Sequence, residues 1–98
     1  MNVVKDRYGN DLKIKAFHVG EYLREEIEAR GLIKKVVAEK IGILPTHLSE
    51  ILNGKRSLSV KTAVKLEDVL DGISADYWLS LQMQFDIQET KQELALTE

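Results

Sequence analysis

Residues 34–53 are the stretch that most restricts how this chain can fold. Val37, Ala38 and Ile41 recur at helical spacing and are followed by Gly42. Pro45 then opens a second periodic stretch through Leu48, Ile51 and Leu52, which stops at Asn53-Gly54. Two short helices are therefore expected to meet across a tight break at Gly42-Ile43-Leu44. Proline suits the first turn of the later helix, where its missing N–H would have no partner anyway. Ala38 stands where the helices approach each other, so a small side chain is needed there. Gly42 occupies the sharp turn, where a Cβ would clash or force strain. Val37, Ile41, Ile43, Leu48 and Ile51 are expected to fill the core that the two helices share.

Counted from Lys34, alanine stands at the fifth position, glycine at the ninth and an aliphatic residue at the fifteenth. This is the spacing of a DNA-binding helix-turn-helix, in which the second helix lies in the major groove. A helical hairpin used only for packing is the plainer reading of the same pattern. The charge distribution bears on the choice. Residues 33–65 carry seven lysines and arginines against two acids, whereas residues 66–98 carry one lysine against eight acids. The net charge of −2 hides this division. A basic middle suits phosphates and an acidic end must face away from them, although both could simply be solvated helix faces.

The remaining chain reads as further helices with an irregular start. Tyr8-Gly9-Asn10-Asp11 is a turn signal between Val3-Val4 and Leu12-Lys13-Ile14-Lys15, so residues 1–17 form an arm or short hairpin. A helix over 20–30 carries Tyr22, Leu23 and Ile27 and stops at Gly31. Ser59 caps a helix over 60–70, with Val60, Ala63, Val64, Leu66, Val69 and Leu70 as its buried stripe. Ser74 caps a fifth helix that bears Tyr77, Trp78, Leu81 and Phe85 and runs to about Thr90, beyond which the tail frays. The expected organisation is an arm over 1–17, one all-α domain over 18–90, and an acidic tail over 91–98. Trp78 and Tyr77 are expected in the core, with some of that apolar surface left for a second copy of the chain.

Three segments carry a resemblance to a known family. They are His18-Val19-Gly20-Glu21-Tyr22-Leu23-Arg24-Glu25-Glu26, Leu48-Ser49-Glu50-Ile51-Leu52-Asn53-Gly54-Lys55-Arg56, and Ser74-Ala75-Asp76-Tyr77-Trp78-Leu79-Ser80-Leu81-Gln82 followed by Phe85-Asp86. Residues 17–90 resemble the lambda-repressor/Cro-like (XRE) helix-turn-helix domains, and more narrowly the HigA-type antitoxins. The resemblance implies a five-helix lambda-repressor-like fold and a sequence-specific DNA-binding antitoxin. Such a protein neutralises a HigB-type ribonuclease toxin, represses its own operon by binding double-stranded operator DNA, and dimerises to match a two-fold operator. Val19 stands where that group has proline. Leu44 stands where a capping Ser or Thr is usual, a loss of about 1 kcal/mol that Pro45 and packing of Leu44 are expected to offset. Glu50 stands where an amide or a base is often found, and near DNA its carboxylate needs a cytosine amine to accept from.

On the third helix Leu48, Ile51 and Leu52 point inward, which leaves the opposite side for DNA. Thr46, His47 and Glu50 are expected at base edges, with Ser49 near base or backbone. Lys34 and Lys35, at the start of the second helix, are expected on phosphates, as are Lys55 and Arg56 after the third. Lys61 is a weaker candidate. Each of these lysines also has an ordinary reading as a solubilising surface group, and His47 as an exposed histidine. For the toxin, the candidates are the acidic end from Asp86 to Glu98 and the arm over 1–17.

No enzyme is expected. The chain has two histidines, no cysteine, no glycine-rich phosphate loop and no paired metal-ligand spacing, so neither catalytic residues, metal nor cofactor are assigned. The absence of cysteine suits a reducing cytoplasm, and no apolar run reaches the length of a signal peptide core or a membrane span. Two rival functions share the fold: a stand-alone phage-type repressor with no toxin, and a protein-only inhibitor that has lost DNA binding.

Overall fold

The way the helices start and stop explains most of the architecture. A computed structural model describes residues 4–5, 11–12 and 16–97. Five helices follow one another: α1 Val19–Ala29, α2 Lys34–Ile41, α3 Pro45–Leu52, α4 Val60–Val69 and α5 Ala75–Thr97. The first three end alike, with two backbone bonds folding the chain back over the last turn. At α1 these are Leu32 N–H to Ile27 O and Gly31 N–H to Glu28 O, each 3.0 Å. At α2 they are Ile43 N–H to Ala38 O at 3.0 Å and Gly42 N–H to Glu39 O at 3.2 Å. At α3 they are Lys55 N–H to Glu50 O at 2.8 Å and Gly54 N–H to Ile51 O at 3.1 Å. Gly42 has φ 74°, a left-handed conformation that a side chain would strain, which is why glycine holds the break.

Two side-chain caps follow the sequence expectation. Ser59 accepts from Thr62 N–H at 3.1 Å, and Ser74 accepts from Tyr77 N–H at 3.3 Å. Two others were not foreseen. His18 caps α1, its Nδ1 accepting from Gly20 N–H at 2.9 Å. Glu67 reaches across from α4 to accept from Ala75 N–H at 3.1 Å.

The all-α, five-helix expectation holds, with two differences in extent. α5 continues to Thr97 rather than ending near Thr90, so residues 91–97 are helical where a frayed tail was expected. Its sequence contains neither glycine nor proline, and strong helix formers such as Gln92, Glu93, Leu94, Ala95 and Leu96 fill the last turns. The arm pairs as β1 (Val4–Lys5) and β2 (Asp11–Leu12), antiparallel, with Val4 opposite Leu12 and Lys5 opposite Asp11. The rest of its turn, Tyr8-Gly9-Asn10, lies outside the described residues.

The core takes side chains from every helix: Val19, Leu23 and Ile27; Val37, Ala38 and Ile41; Leu48, Ile51 and Leu52; Ala63, Leu66 and Leu70; and Trp78. Gly20 lies where α1 crosses α3, and a Cβ there would run into the carbonyl oxygen of Ile51. The buried stripe of α4 differs from expectation. Thr62, Ala63, Leu66 and Leu70 point inward, while Val60 and Val64 are 66% and 49% exposed. Val60 and Val64 are themselves four residues apart, on a face about 130° round the helix from the core stripe, so apolar type alone misplaced them. Trp78 is fully buried as expected, but Tyr77 is half exposed.

Candidate nucleic-acid interface

α3 is held by its neighbours from behind and leaves one side open. Leu48, Ile51 and Leu52 are buried against α1 and α2. On the other side Pro45, Thr46 and Ser49 are exposed, and His47 and Glu50 are half buried. Ser49 and Glu50 lie three and four residues after Thr46, so each shares a face of the helix with it. The start of the helix carries no side-chain cap. Leu44 occupies that position with extended backbone, Pro45 follows, and the Leu44 side chain is 70% exposed. Leu44 therefore does not supply the packing that was expected to offset the missing cap.

Two of the candidate cations are placed beside this face: Lys34 lines a hollow with Pro45 and Ser49, and Arg56 pairs with Glu50. Lys34 and Lys35 are exposed in the first turn of α2, and Lys55 and Arg56 are exposed just after α3. Lys61 is exposed in the first turn of α4. The loop carrying Lys55 and Arg56 is fixed at both ends. Its start is the folded-back turn of α3 already described. Its far end is clamped by Gln82 of α5, whose Nε2 donates to Leu58 O at 2.8 Å while its Oε1 accepts from Leu58 N–H at 2.6 Å. Two of the candidates meet each other: Arg56 Nη2 lies 3.2 Å from Glu50 Oε1, with both side chains about half exposed.

Two residues escaped the sequence reading. Arg24 of α1 donates to Leu52 O at 3.2 Å and to Asn53 Oδ1 at 2.7 Å, so it holds the C-terminal end of α3. Asn53 in turn donates to Ser49 Oγ at 3.4 Å. With Lys34, Pro45 and Ser49 these side chains line a hollow of about 130 Å³ between the start of α2 and the length of α3. The four-residue step from Ser49 to Asn53 was a signal that Asn53 shares the exposed face. Nothing local could have announced Arg24, which lies ten residues before α2.

The histidines do not form a reactive pair. His18 caps α1 and meets the Phe85 ring edge-on at 5.1 Å, while His47 sits on α3. Among the described residues no group of three or more His, Asp or Glu could hold a metal ion. No helix among the described residues is long and apolar enough to cross a membrane. The exposed acids Asp76, Asp86, Glu89 and Glu93 lie on α5, which packs on α1 and α4.

Comparison with known proteins gives a consistent picture. The helix-turn-helix family model matches residues 23–78. Virulence-associated protein A' of Dichelobacter nodosus is 30% identical over 78 residues, covering 80% of this chain and 68% of that protein. Antitoxin HigA-1 of Vibrio cholerae is 34% identical over 74 residues, covering 74% of this chain and 69% of that one. Among solved structures, antitoxin GraA in complex with its operator superposes with a TM-score of 0.71 at 30% identity, covering 83% of this chain and 84% of GraA.

Proposed function

The chain belongs to the helix-turn-helix family, and we propose that it is a sequence-specific DNA-binding antitoxin that represses its own operon and neutralises a ribonuclease toxin. One observation carries the DNA half of this reading. An open face of α3, bearing Thr46, His47, Ser49 and Glu50, has Lys34 beside Pro45 and Ser49 and Arg56 paired with Glu50, and the exposed Lys35 and Lys55 are their chain neighbours. That is the layout a major-groove reader needs, with polar side chains for base edges and cations for the phosphates beside them. The four cations correspond to a salt slope of about −3.6 per half-site. The similarity to a protein named as an antitoxin and to another bound to its operator supports the same conclusion.

In this reading residues 18–90 form the DNA-binding domain and two copies bind a two-fold operator, one half-site each. The toxin is basic, as a protein that attracts RNA must be, and docks on the exposed acids of α5 or on the arm over 1–17.

A gel shift with the duplex upstream of the chain's own gene tests the DNA half. Retardation that survives excess unrelated competitor supports it, and equal competition by any duplex contradicts it. Co-expression with the adjacent reading frame tests the toxin half. Rescue of growth and co-purification support the antitoxin, whereas operator binding without a toxic neighbour leaves a stand-alone repressor.

A further inference from the structure

We propose that Glu50 is a specificity-determining residue, which withholds Arg56 from phosphate on unrelated DNA and releases it only when a base in the operator takes over the carboxylate. This rests on the reading of the α3 face as a DNA-contacting surface. Between Pro45 and Ser59 the cations are Lys55 and Arg56, and Glu50 is the one acid. Its carboxylate is engaged by Arg56, at 3.2 Å. The pair does not come from chance proximity of two mobile chains. Lys55 N–H bonds to Glu50 O at 2.8 Å and Gly54 N–H to Ile51 O at 3.1 Å, so the turn returns the chain beside Glu50. Gln82 then grips Leu58 through both backbone groups. The backbone at Arg56 is thus held between two fixed points, and only its side chain is free to swing.

The two ends of that swing differ in what DNA offers. Duplex DNA presents one phosphate charge per about 1.7 Å of axis, which attracts Arg56 and repels Glu50. A carboxylate placed at the major groove finds a favourable partner where a base edge offers an amino group, as cytosine N4 does. On such a sequence Glu50 accepts from the base and Arg56 turns outward to the backbone. On other sequences the carboxylate has no donor except Arg56, so the pair stays closed and one phosphate contact is forgone. The pair is half exposed, so it is weak enough to open on demand.

The test measures affinity by fluorescence anisotropy over a range of salt, for the duplex upstream of the chain's own gene and for a scrambled duplex of the same composition. The proteins are wild type, Glu50→Ala, Arg56→Ala, the double variant, and Lys34→Ala as a reference. Glu50→Ala is expected to steepen the salt slope on the scrambled duplex by about 0.9 per half-site, because Arg56 is freed to a phosphate. Loss of the base contact lowers own-duplex affinity, so preference for it falls by about 5- to 150-fold. Arg56→Ala is expected to flatten the slope on the own duplex alone, whereas Lys34→Ala flattens both. The double variant returns the scrambled-duplex slope to that of wild type. A scrambled-duplex slope unmoved by Glu50→Ala, or one flattened by Arg56→Ala as much as the own-duplex slope, overturns the proposal while leaving DNA binding intact. Wild type that binds neither duplex contradicts the DNA-binding reading itself, wild type with no preference between them contradicts its sequence specificity, and the proposal falls with either. Circular dichroism of each variant confirms that the helices are unchanged, as substitution of half-exposed side chains requires.

Discussion

Replacing Gly20 with alanine sets two physical effects of opposite sign against each other. Gly20 is the second residue of α1, and helix propensity alone favours Gly20→Ala by up to about 1 kcal/mol. The packing opposes it. A Cβ at Gly20 would collide with the Ile51 carbonyl oxygen and stand 2.9 Å from its carbon, so the obstacle is backbone that no rotamer change can move. An ordinary contact requires α1 and α3 to separate by about 1 Å or more, enough to forfeit a quarter to a half of the dispersion energy between atoms facing across the gap. Leu23 and Ile27 of α1 and Leu48 and Ile51 of α3 are all essentially fully buried, so none of that loss is recovered from solvent. Overpacking of this kind costs about 1–3 kcal/mol where side chains yield, and more against backbone. After the propensity gain we expect a net loss of about 2–3 kcal/mol, hence a Tm about 10–20 °C lower for a domain of this size. Thermal unfolding followed by circular dichroism at 222 nm reads this directly. A Gly20→Ala chain melting within 2 °C of wild type, or above it, would refute the close approach of α1 to α3.

Three further outcomes follow from other parts of the fold. Leu44→Ser places a hydroxyl at the uncapped start of α3 and gives up a side chain that is 70% exposed, so we expect a gain of about 1 kcal/mol and a Tm higher by about 4–8 °C. Gln82→Ala removes both bonds to Leu58 and is expected to cost about 1–3 kcal/mol. Faster amide exchange at Leu58 and weaker DNA binding at low salt are expected with it, because the loop bearing Lys55 and Arg56 loosens. Lys34→Ala is expected to lower affinity for own and scrambled duplexes alike and to flatten both salt slopes by about 0.9 per half-site, without changing Tm by more than 2 °C, as an exposed side chain implies.

The bounds of α2 and α3 were legible because local chemistry decides them: Gly42 alone suits its φ of 74°, and Pro45 marks a first turn. The caps at Ser59 and Ser74 were readable for the same reason. What escaped depends on partners far away in sequence. Val60 and Val64 match the core in type, but the positions of α2 and α5 against α4 decide which face is covered, and they leave both valines out. Nothing around Gly20 distinguishes it from a helix-weakening glycine, since its reason is a carbonyl thirty-one residues further on. Arg24 and Asn53 were missed at the candidate interface because their link joins α1 to the end of α3. Glu50 and Arg56 were each read as facing DNA alone, whereas the turn after α3 brings them together.

The claim on which the rest depends is that DNA meets the open side of α3. Titrating the ¹⁵N-labelled chain with the duplex upstream of its own gene, and following amide shifts, tests that most directly. The expected result is that the largest changes fall at Lys34, Lys35, Thr46, His47, Ser49, Glu50, Lys55 and Arg56, with α5 little altered beyond any contact between copies. Changes concentrated on α5 or α4, with Thr46, Ser49 and Glu50 unmoved at saturation, would contradict it.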